Sequence, residues 1–158
     1  MSTTNRIGLD TDKSKELADK LNILLANYQM FYINARGFHW NISGDKFFEL
    51  HIKFEEAYND ALLKIDEVAE RILTLGYTPI HSFTAYVQTA SIKEAINISD
   101  GVTAVKSLLS GFQILLETER GLLYLSADMQ DEGTNALMSD YIRQQEKLVW
   151  QYSAFLKR

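Results

Sequence analysis

Two histidines and three carboxylates in this sequence have the types and spacing of metal ligands: His39, His51, Glu55, Asp66 and Glu70. The last four fall in a stretch of strong helical periodicity, from about residue 47 to residue 75. At about 100° per residue, they share an arc of about 100° on one side of that helix. Imidazole nitrogens and carboxylate oxygens together suit iron, manganese or zinc. The sequence therefore predicts a metal site on this side of the helix.

The length of that helix separates the candidate ligands into two groups. Asp66 follows His51 by fifteen residues, which is roughly 22 Å at 1.5 Å per residue. One metal centre cannot bind both ends, so either the ends bind separate ions or the acidic end meets the histidine end of a second copy. A two-fold dimer with antiparallel helices makes two equivalent shared sites, and we favour that arrangement.

Each candidate ligand also has a purely structural explanation. His39, beside Trp40, and His51 could be partly buried and bonded to the backbone, and the three acids could be solvated charges. The acids, however, border an expected apolar face centred on Phe47, Phe54, Tyr58, Leu62, Ile65, Ala69 and Ile72. Carboxylates beside a core are costly unless a cation is bound there. Trp40 has two interpretations. It is either an aromatic side chain of an interface or of the core, or an oxidisable side chain that intercepts stray electrons near the metal.

The other side of the same helix carries acids and bases together: Glu49, Glu56, Asp60 and Glu67, with Lys53, Lys64 and Arg71. This composition is typical of the solvated face of an amphipathic helix. The alternative is that the face lines the cavity of a closed shell, where its carboxylates would collect cations. The third histidine, His81, falls in a loop, and we expect it to be exposed or locally bonded.

Composition excludes several classes of function. The chain has 158 residues and no cysteine, which excludes disulfides, thiolate zinc sites, iron–sulfur clusters and cysteine nucleophiles. A net charge of −5 argues against non-specific binding of nucleic acid, because phosphate binding needs a basic surface. The polar start of the sequence and the lack of a long apolar stretch make a cytoplasmic location, without a membrane partner, the expectation.

Four amphipathic helical stretches are expected, over about residues 12–35, 47–75, 101–127 and 134–156. Ser43 or Asp45 would cap the second helix and Gly76 would end it. The connection over 80–99 is long, and residues 92–96 could form a short helix in it. This pattern predicts an all-α, ferritin-like four-helix bundle with a crossover between the second and third helices. Residues 1–11 would form a short tail and 12–158 the bundle domain.

At these residues the sequence resembles the Dps family, the mini-ferritins named for DNA-binding proteins of starved cells. The resemblance covers essentially the whole chain and is carried by His39-Trp40-Asn41, Gly44, Phe48, His51, Glu55, the run from Asp66 to Arg71, and Leu75-Gly76. In the family a second histidine follows the first by twelve positions, with acids after twenty-seven and thirty-one. Those offsets give His39, His51, Asp66 and Glu70 here. The E-x-x-H pairs of ordinary ferritins are missing.

The resemblance implies a hollow dodecamer with ferroxidase centres at its two-fold interfaces. His39 and His51 would come from one subunit and Asp66 and Glu70 from its partner, with Glu55 completing the ligand set. These five residues would be both the metal ligands and the catalytic residues. Each centre could bind two Fe(II) ions and oxidise them, preferably with hydrogen peroxide. Ferric iron would be stored in the cavity, which protects the cell against oxidative damage. Many members have Asp where this chain has Glu55.

The resemblance also implies acidic pores at the three-fold axes, near the start of the last helix. Asp131 and Glu132 match that position, with Asp128 and Asp140 as weaker candidates. The alternative is that Asp131 and Glu132 interact only with the helix N-terminus.

DNA binding is expected to be weak or absent. Members that compact DNA usually carry a mobile basic tail, and Arg6 is the only basic residue before residue 10. A DNA-coating architectural dodecamer with a secondary metal site therefore stands as the alternative function. A third hypothesis is a helical bundle with a purely structural role or a role in cell-surface interactions. The matching spacing of the five candidate ligands disfavours it.

Overall fold

The computed structural model describes residues 4–157, which form five helices. They are α1 (Thr11–Asn41), α2 (Phe47–Thr74), α3 (Phe83–Thr89), α4 (Gly101–Asp128) and α5 (Glu132–Leu156). Over this range the only β-type pairings are two isolated bridges, so the all-α prediction is confirmed. None of the helices in the described part is long and apolar enough to cross a membrane. The predicted tail over 1–11 is described only from residue 4, and its boundary stays a prediction.

The four long helices form a bundle with ferritin-like connectivity. α2 and α4 begin at the same end, where the Ser43 amide donates to the Ser99 carbonyl at 2.9 Å. At the other end, Arg71 near the end of α2 forms an ion pair with Asp131, just before α5. α2 and α4 are therefore parallel, and the long crossover that joins them carries α3. The predicted topology is confirmed.

The short helix of the crossover is not where we expected it. Residues 92–96 are not helical, and the short helix is α3, capped by the Ser82 hydroxyl. The reason lies on α1. The Asn27 side-chain oxygen accepts from the amides of Ser91 and Ile92, both at 2.9 Å. The Asn34 side chain accepts from the Ala95 amide and donates to the Lys93 carbonyl, both at 2.9 Å. These bonds satisfy the backbone without helical hydrogen bonds.

Two boundaries near the candidate ligands also differ from expectation. α1 continues to Asn41 instead of ending near Ala35, so His39 lies in its last turn. α2 follows Lys46, which makes no side-chain cap bond, so the expected cap at Ser43 or Asp45 is wrong. Gly76 does end α2 as predicted, because its φ of +96° allows the paired backbone bonds of a Schellman motif.

The face that α2 buries is rotated from the predicted one and overlaps it at Phe54 and Ile72. The residues it buries in the bundle are Leu50, Phe54, Ala57, Ala61, Lys64, Val68 and Ile72. At 100° per residue, the centre of this buried stripe lies roughly 70° around the helix axis from the centre of the predicted face. α2 therefore has a second apolar stripe, which includes Leu62 at 49% exposure. That second stripe misled the sequence interpretation, and it lies beside the candidate ligands.

Candidate metal centre

His39 and His51 are stacked face to face across the α1–α2 hairpin. Their ring centroids are 3.8 Å apart with an interplanar angle of 12°. The Nδ1 atom of each ring lies 2.7 Å from the main-chain carbonyl oxygen of the other histidine. A carbonyl can only accept a hydrogen bond, so each Nδ1 carries a proton, and in the neutral imidazole Nε2 is then the nitrogen with the free lone pair. This reciprocal bonding sets the tautomer that a metal-binding imidazole needs.

The local backbone explains why the two histidines meet. His39 lies in the last turn of α1, where carbonyl groups lack a partner in the helix, so its carbonyl is free to accept from His51. Ile42 is extended, and Gly44, with φ of +104°, reverses the chain before α2. The short hairpin thus brings residues twelve positions apart into contact.

Aromatic rings enclose the histidine pair on both sides. Phe47 stacks on His51 with centroids 4.9 Å apart, and the edge of Tyr58 meets His39 at 5.3 Å. His39 is buried and His51 is half-buried. The backbone bonding considered as the structural alternative is therefore present, but it uses only Nδ1 and leaves Nε2 of both rings for another partner.

Asp66 and Glu70 form the second group of candidate ligands, one turn apart on α2. The pKa of Glu70 is raised, first by a hydrogen bond with the Asp66 carboxyl group and then by the negative charge of Asp66. Two carboxylates this close repel each other when both are ionised, and a bound cation relieves that repulsion. Glu55 lies one turn after His51, and its side chain is exposed.

The two groups are held apart by the helix that carries them. α2 is continuous from Phe47 to Thr74, so the separation of roughly 22 Å between His51 and Asp66 applies. Over residues 4–157 of one chain, no three histidine, aspartate or glutamate side chains come together as a metal-binding group. A single chain thus presents two partial ligand sets.

Large apolar side chains surround these partial sets on the exterior of α2. Phe48 is 77% exposed, Ile52 55% and Leu73 58%. The three acids are themselves exposed, and Ile65 and Ala69 beside two of them pack against the core. Exposed apolar groups of this size, mixed with polar ones, are typical of a surface that another protein covers.

Comparisons with known proteins show the family of the chain. Residues 18–158 match the family model of the ferritin-like domain. A DNA protection during starvation protein of Porphyromonas gingivalis is 40% identical over 94% of this chain and 93% of its own length. The chain belongs to the Dps family.

Solved structures of the Dps family extend the match to the whole fold. The crystal structure of a Dps protein from Vibrio cholerae O1 has a TM-score of 0.97 and 59% identity, covering 99% of this chain and 98% of its own. It is described as a member of a broad superfamily of ferritin-like diiron-carboxylate proteins. A Dps protein from Bacillus brevis has a TM-score of 0.89 and 35% identity, covering 92% and 98%.

The structure also shows the surroundings of Trp40 and His81, two residues considered in the sequence analysis. Trp40 is 59% exposed, with the Arg36 guanidinium 5.0 Å from its ring centroid, so it is not part of the core of the single chain. His81 is exposed and donates from Nδ1 to the Pro79 carbonyl at 3.0 Å, which confirms the expected local bond.

The acidic side of α2 is only partly solvated. Glu49, Glu56 and Glu67 are exposed as expected. Lys64, in contrast, is buried and donates to the Asp60 carboxylate at 2.7 Å and to Gln144 on α5 at 2.9 Å. The prediction of a solvated Lys64 is wrong, because its ammonium group joins α2 to α5.

The structure also contains a buried carboxyl group that the sequence analysis missed. Glu119 is fully buried in α4, the Tyr28 hydroxyl donates to it, and the Gln145 amide lies within hydrogen-bond distance of both. Burial raises the pKa of Glu119 to about 8. Its position was detectable, because Glu119 follows Leu115 and precedes Leu122 in a core spacing of three and four residues.

The two candidate pore residues have different environments. Asp131 is 2% exposed, caps α5 through the Thr134 amide at 3.1 Å and forms an ion pair with Arg71 at 2.7 Å. This is the helix-end role considered as the alternative. Glu132 is exposed. A pore role remains a prediction, and Glu132 is the carboxylate open to a passing cation.

Proposed function

We propose that this protein binds and oxidises Fe(II) at centres shared between two copies and stores the ferric product in a shell. The observation that carries the proposal is the histidine pair, whose Nδ1 atoms are held by backbone carbonyls and whose Nε2 atoms are left for a metal. Membership of the Dps family supports the same chemistry, since a similar structure is described as belonging to the diiron-carboxylate superfamily.

The shared centre follows from the two partial ligand sets. His39, His51 and Glu55 of one copy would face Asp66 and Glu70 of a second copy across a two-fold axis. Antiparallel pairing of α2 brings these sets together twice, and it covers the apolar side chains that one chain leaves exposed. A larger closed assembly, the dodecamer that the family resemblance implies, would then enclose the ferric product.

Each group of residues has its own role in the reaction. The imidazole Nε2 atoms bind Fe(II) as neutral donors, and the carboxylates offset its positive charge and favour the ferric product. Two Fe(II) ions together supply the two electrons that hydrogen peroxide needs. The balance is 2 Fe²⁺ + H₂O₂ + 2 H⁺ → 2 Fe³⁺ + 2 H₂O, and no hydroxyl radical is released.

DNA coating is not favoured as the main function. The net charge is −5 and the sequence pI is about 5.2, whereas binding to phosphates needs a basic surface. The expected cytoplasmic location remains a prediction.

The test is stopped-flow oxidation of Fe(II), loaded anaerobically and mixed with hydrogen peroxide or with oxygen. We expect the wild-type protein to oxidise iron faster with peroxide. The double variant His39→Ala/His51→Ala should slow oxidation at least about tenfold, because neutral ligands are lost. The variant His81→Ala is the matched control, since His81 is exposed and bonded only locally.

Two outcomes would contradict the proposal. One is oxidation by the double histidine variant at the wild-type rate. The other is unchanged oxidation when Asp66→Asn and Glu70→Gln are combined. The acid variants guard against a folding artefact, because both side chains are exposed in the single chain.

A further inference from the structure

Arg36 carries a positive charge that no acid neutralises within residues 4–157 of one chain. No carboxylate in this range forms an ion pair with it. Its guanidinium lies over the rings of Tyr32, Tyr58 and Trp40, at 5.8, 5.2 and 5.0 Å from their centroids, and it donates to the Tyr32 hydroxyl. The aromatic faces hold the cation in place, but they do not cancel its charge.

The Nε atom of Arg36 also lacks a partner. It is buried and makes no hydrogen bond to any residue that the structure describes. A buried N–H group without an acceptor is costly, and native structures rarely leave one. Arg36 as a whole is only half-buried, so its guanidinium is within reach of a group from outside the chain. Its positive charge indicates that the missing acceptor is an anion.

Two carboxylates of α2 lack a partner of the opposite kind. Asp66 and Glu70 are exposed, and neither forms an ion pair within the described part of the chain. They lie one turn apart and repel each other when both are ionised. A guanidinium suits them, because its planar fork donates to two carboxylate oxygens at once. The unpaired cation and the unpaired acids are therefore complementary in charge.

The place of Arg36 on α1 brings it to the shared centre. Arg36 precedes His39 by three residues in the same helix, which is about 4.5 Å along the axis and about 60° around it. The two side chains therefore leave α1 on the same side. A second copy that brings Asp66 and Glu70 to His39 also brings them within reach of the guanidinium.

We propose that Arg36 is the counter-ion of the metal-free centre, where its guanidinium binds the Asp66 and Glu70 carboxylates of the second copy until a metal ion displaces it. This inference rests on the proposed function, which supplies the shared centre. Arg36 then has two opposite effects. It stabilises the metal-free interface, because it relieves the repulsion between the acids. It lowers the affinity for metal, because the ion competes for the same oxygens. Arg36 is a positioning residue that holds the carboxylates in place for the ion.

The first experiment is sedimentation velocity of the chelator-treated assembly over a dilution series. Arg36→Gln removes the charge and keeps a polar side chain, and it should raise the concentration of half-dissociation at least about tenfold. Asp66→Asn/Glu70→Gln should also weaken the metal-free assembly. Adding Arg36→Gln to that variant should weaken it little further, because both changes remove the same pairing. Lys20→Gln is the matched control, since it removes an exposed charge from the same helix.

The second experiment is calorimetric titration with Co(II), a stand-in for Fe(II) that is not oxidised during the measurement. We expect Arg36→Gln to bind Co(II) several-fold more tightly than the wild type, and Co(II) to restore its assembly. Arg36→Lys keeps the charge and should stay closer to the wild-type affinity. His39→Ala/His51→Ala should lose the binding, because it removes the neutral ligands.

Two results would overturn the inference. One is an additive loss of assembly when Arg36→Gln is combined with the acid variant, since Arg36 would then act independently of the two acids. The other is a Co(II) affinity that Arg36→Gln leaves unchanged or lowers. Neither result bears on the proposed function, which fails instead if the double histidine variant binds Co(II) like the wild type. Wild-type helical content shows that each variant is folded.

Discussion

The histidine pair and the buried Glu119 cluster are both polar groups held by hydrogen bonds, yet they differ in what they leave unbonded. At the pair, backbone carbonyls occupy only Nδ1 of His39 and His51, and the pair lies beside an exposed apolar surface. At Glu119, the partners Tyr28 and Gln145 enclose the carboxyl group inside the bundle. Glu119 therefore has its carboxyl group enclosed on all sides, whereas the histidines keep the nitrogen atoms that the proposed metal site needs.

The largest expected effect is a loss of stability when Glu119 is replaced. Glu119→Ala leaves Tyr28 and Gln145 without their partner and opens a cavity, so the free energy of unfolding should fall by about 3 kcal/mol. Thermal and denaturant unfolding measure this loss. Glu117→Ala, an exposed change two residues away, should stay within about 0.5 kcal/mol. A slower iron oxidation by Glu119→Ala with unchanged stability would reverse the roles assigned to the two regions.

The acidic ligands should show the opposite behaviour. Asp66→Asn combined with Glu70→Gln should reduce peroxide-driven oxidation by about a hundredfold, because two charged ligands are lost at every centre. The unfolding free energy of the subunit should change by less than about 0.5 kcal/mol, since both side chains are exposed. Glu49→Gln, an exposed carboxylate on the other side of α2, is the control and should keep the wild-type rate.

A pH titration sharpens the contrast further. The pKa of Glu119 is raised from 4.5 to about 8, so between those values the folded state keeps a proton that the unfolded state has released. The contribution of Glu119 to stability is therefore present at low pH and is lost as the pH rises towards 8. From pH 6 to pH 8 this loss should be about 2 kcal/mol. Melting curves of Glu119→Gln should lack it, and equal slopes for variant and wild type would contradict the assignment.

The smallest effect is expected at Glu55. Glu55→Asp keeps the ligand type and shortens the side chain by one methylene, so the oxidation rate should change by less than about tenfold. Glu55→Ala removes the ligand and should slow the reaction more. Stopped-flow rates of the two variants test this order. If both variants oxidised iron at the wild-type rate, Glu55 would be removed from the ligand set.

The fold was largely predictable because its signals are local. Apolar spacing and the helix-ending Gly76 placed four long helices, and the long connection indicated the crossover. Residues 92–96 were misassigned because Asn27 and Asn34, from a distant part of the chain, hold that segment out of a helix. Such a contact has no local signature in the sequence.

The candidate ligands could be selected from the sequence, but their surroundings could not. The spacing of His39 and His51 indicated a shared role, and the structure brings their rings together. The buried face of α2 was misplaced because the helix carries two apolar stripes, and the sequence does not say which one faces the bundle. The ligand roles themselves, and the second copy that would complete the centre, stay predictions.

The most direct test of the shared centre is complementation between two inactive variants. One carries His39→Ala/His51→Ala and the other Asp66→Asn/Glu70→Gln, and they are co-expressed with different tags so that mixed assemblies can be purified. At an interface between the two variants, one centre lacks all four ligands and the other keeps them. With random pairing, half of the interfaces are mixed, so we predict recovery of about a quarter of the wild-type oxidation rate. Mixed assemblies as inactive as the parent variants would contradict a centre shared between subunits.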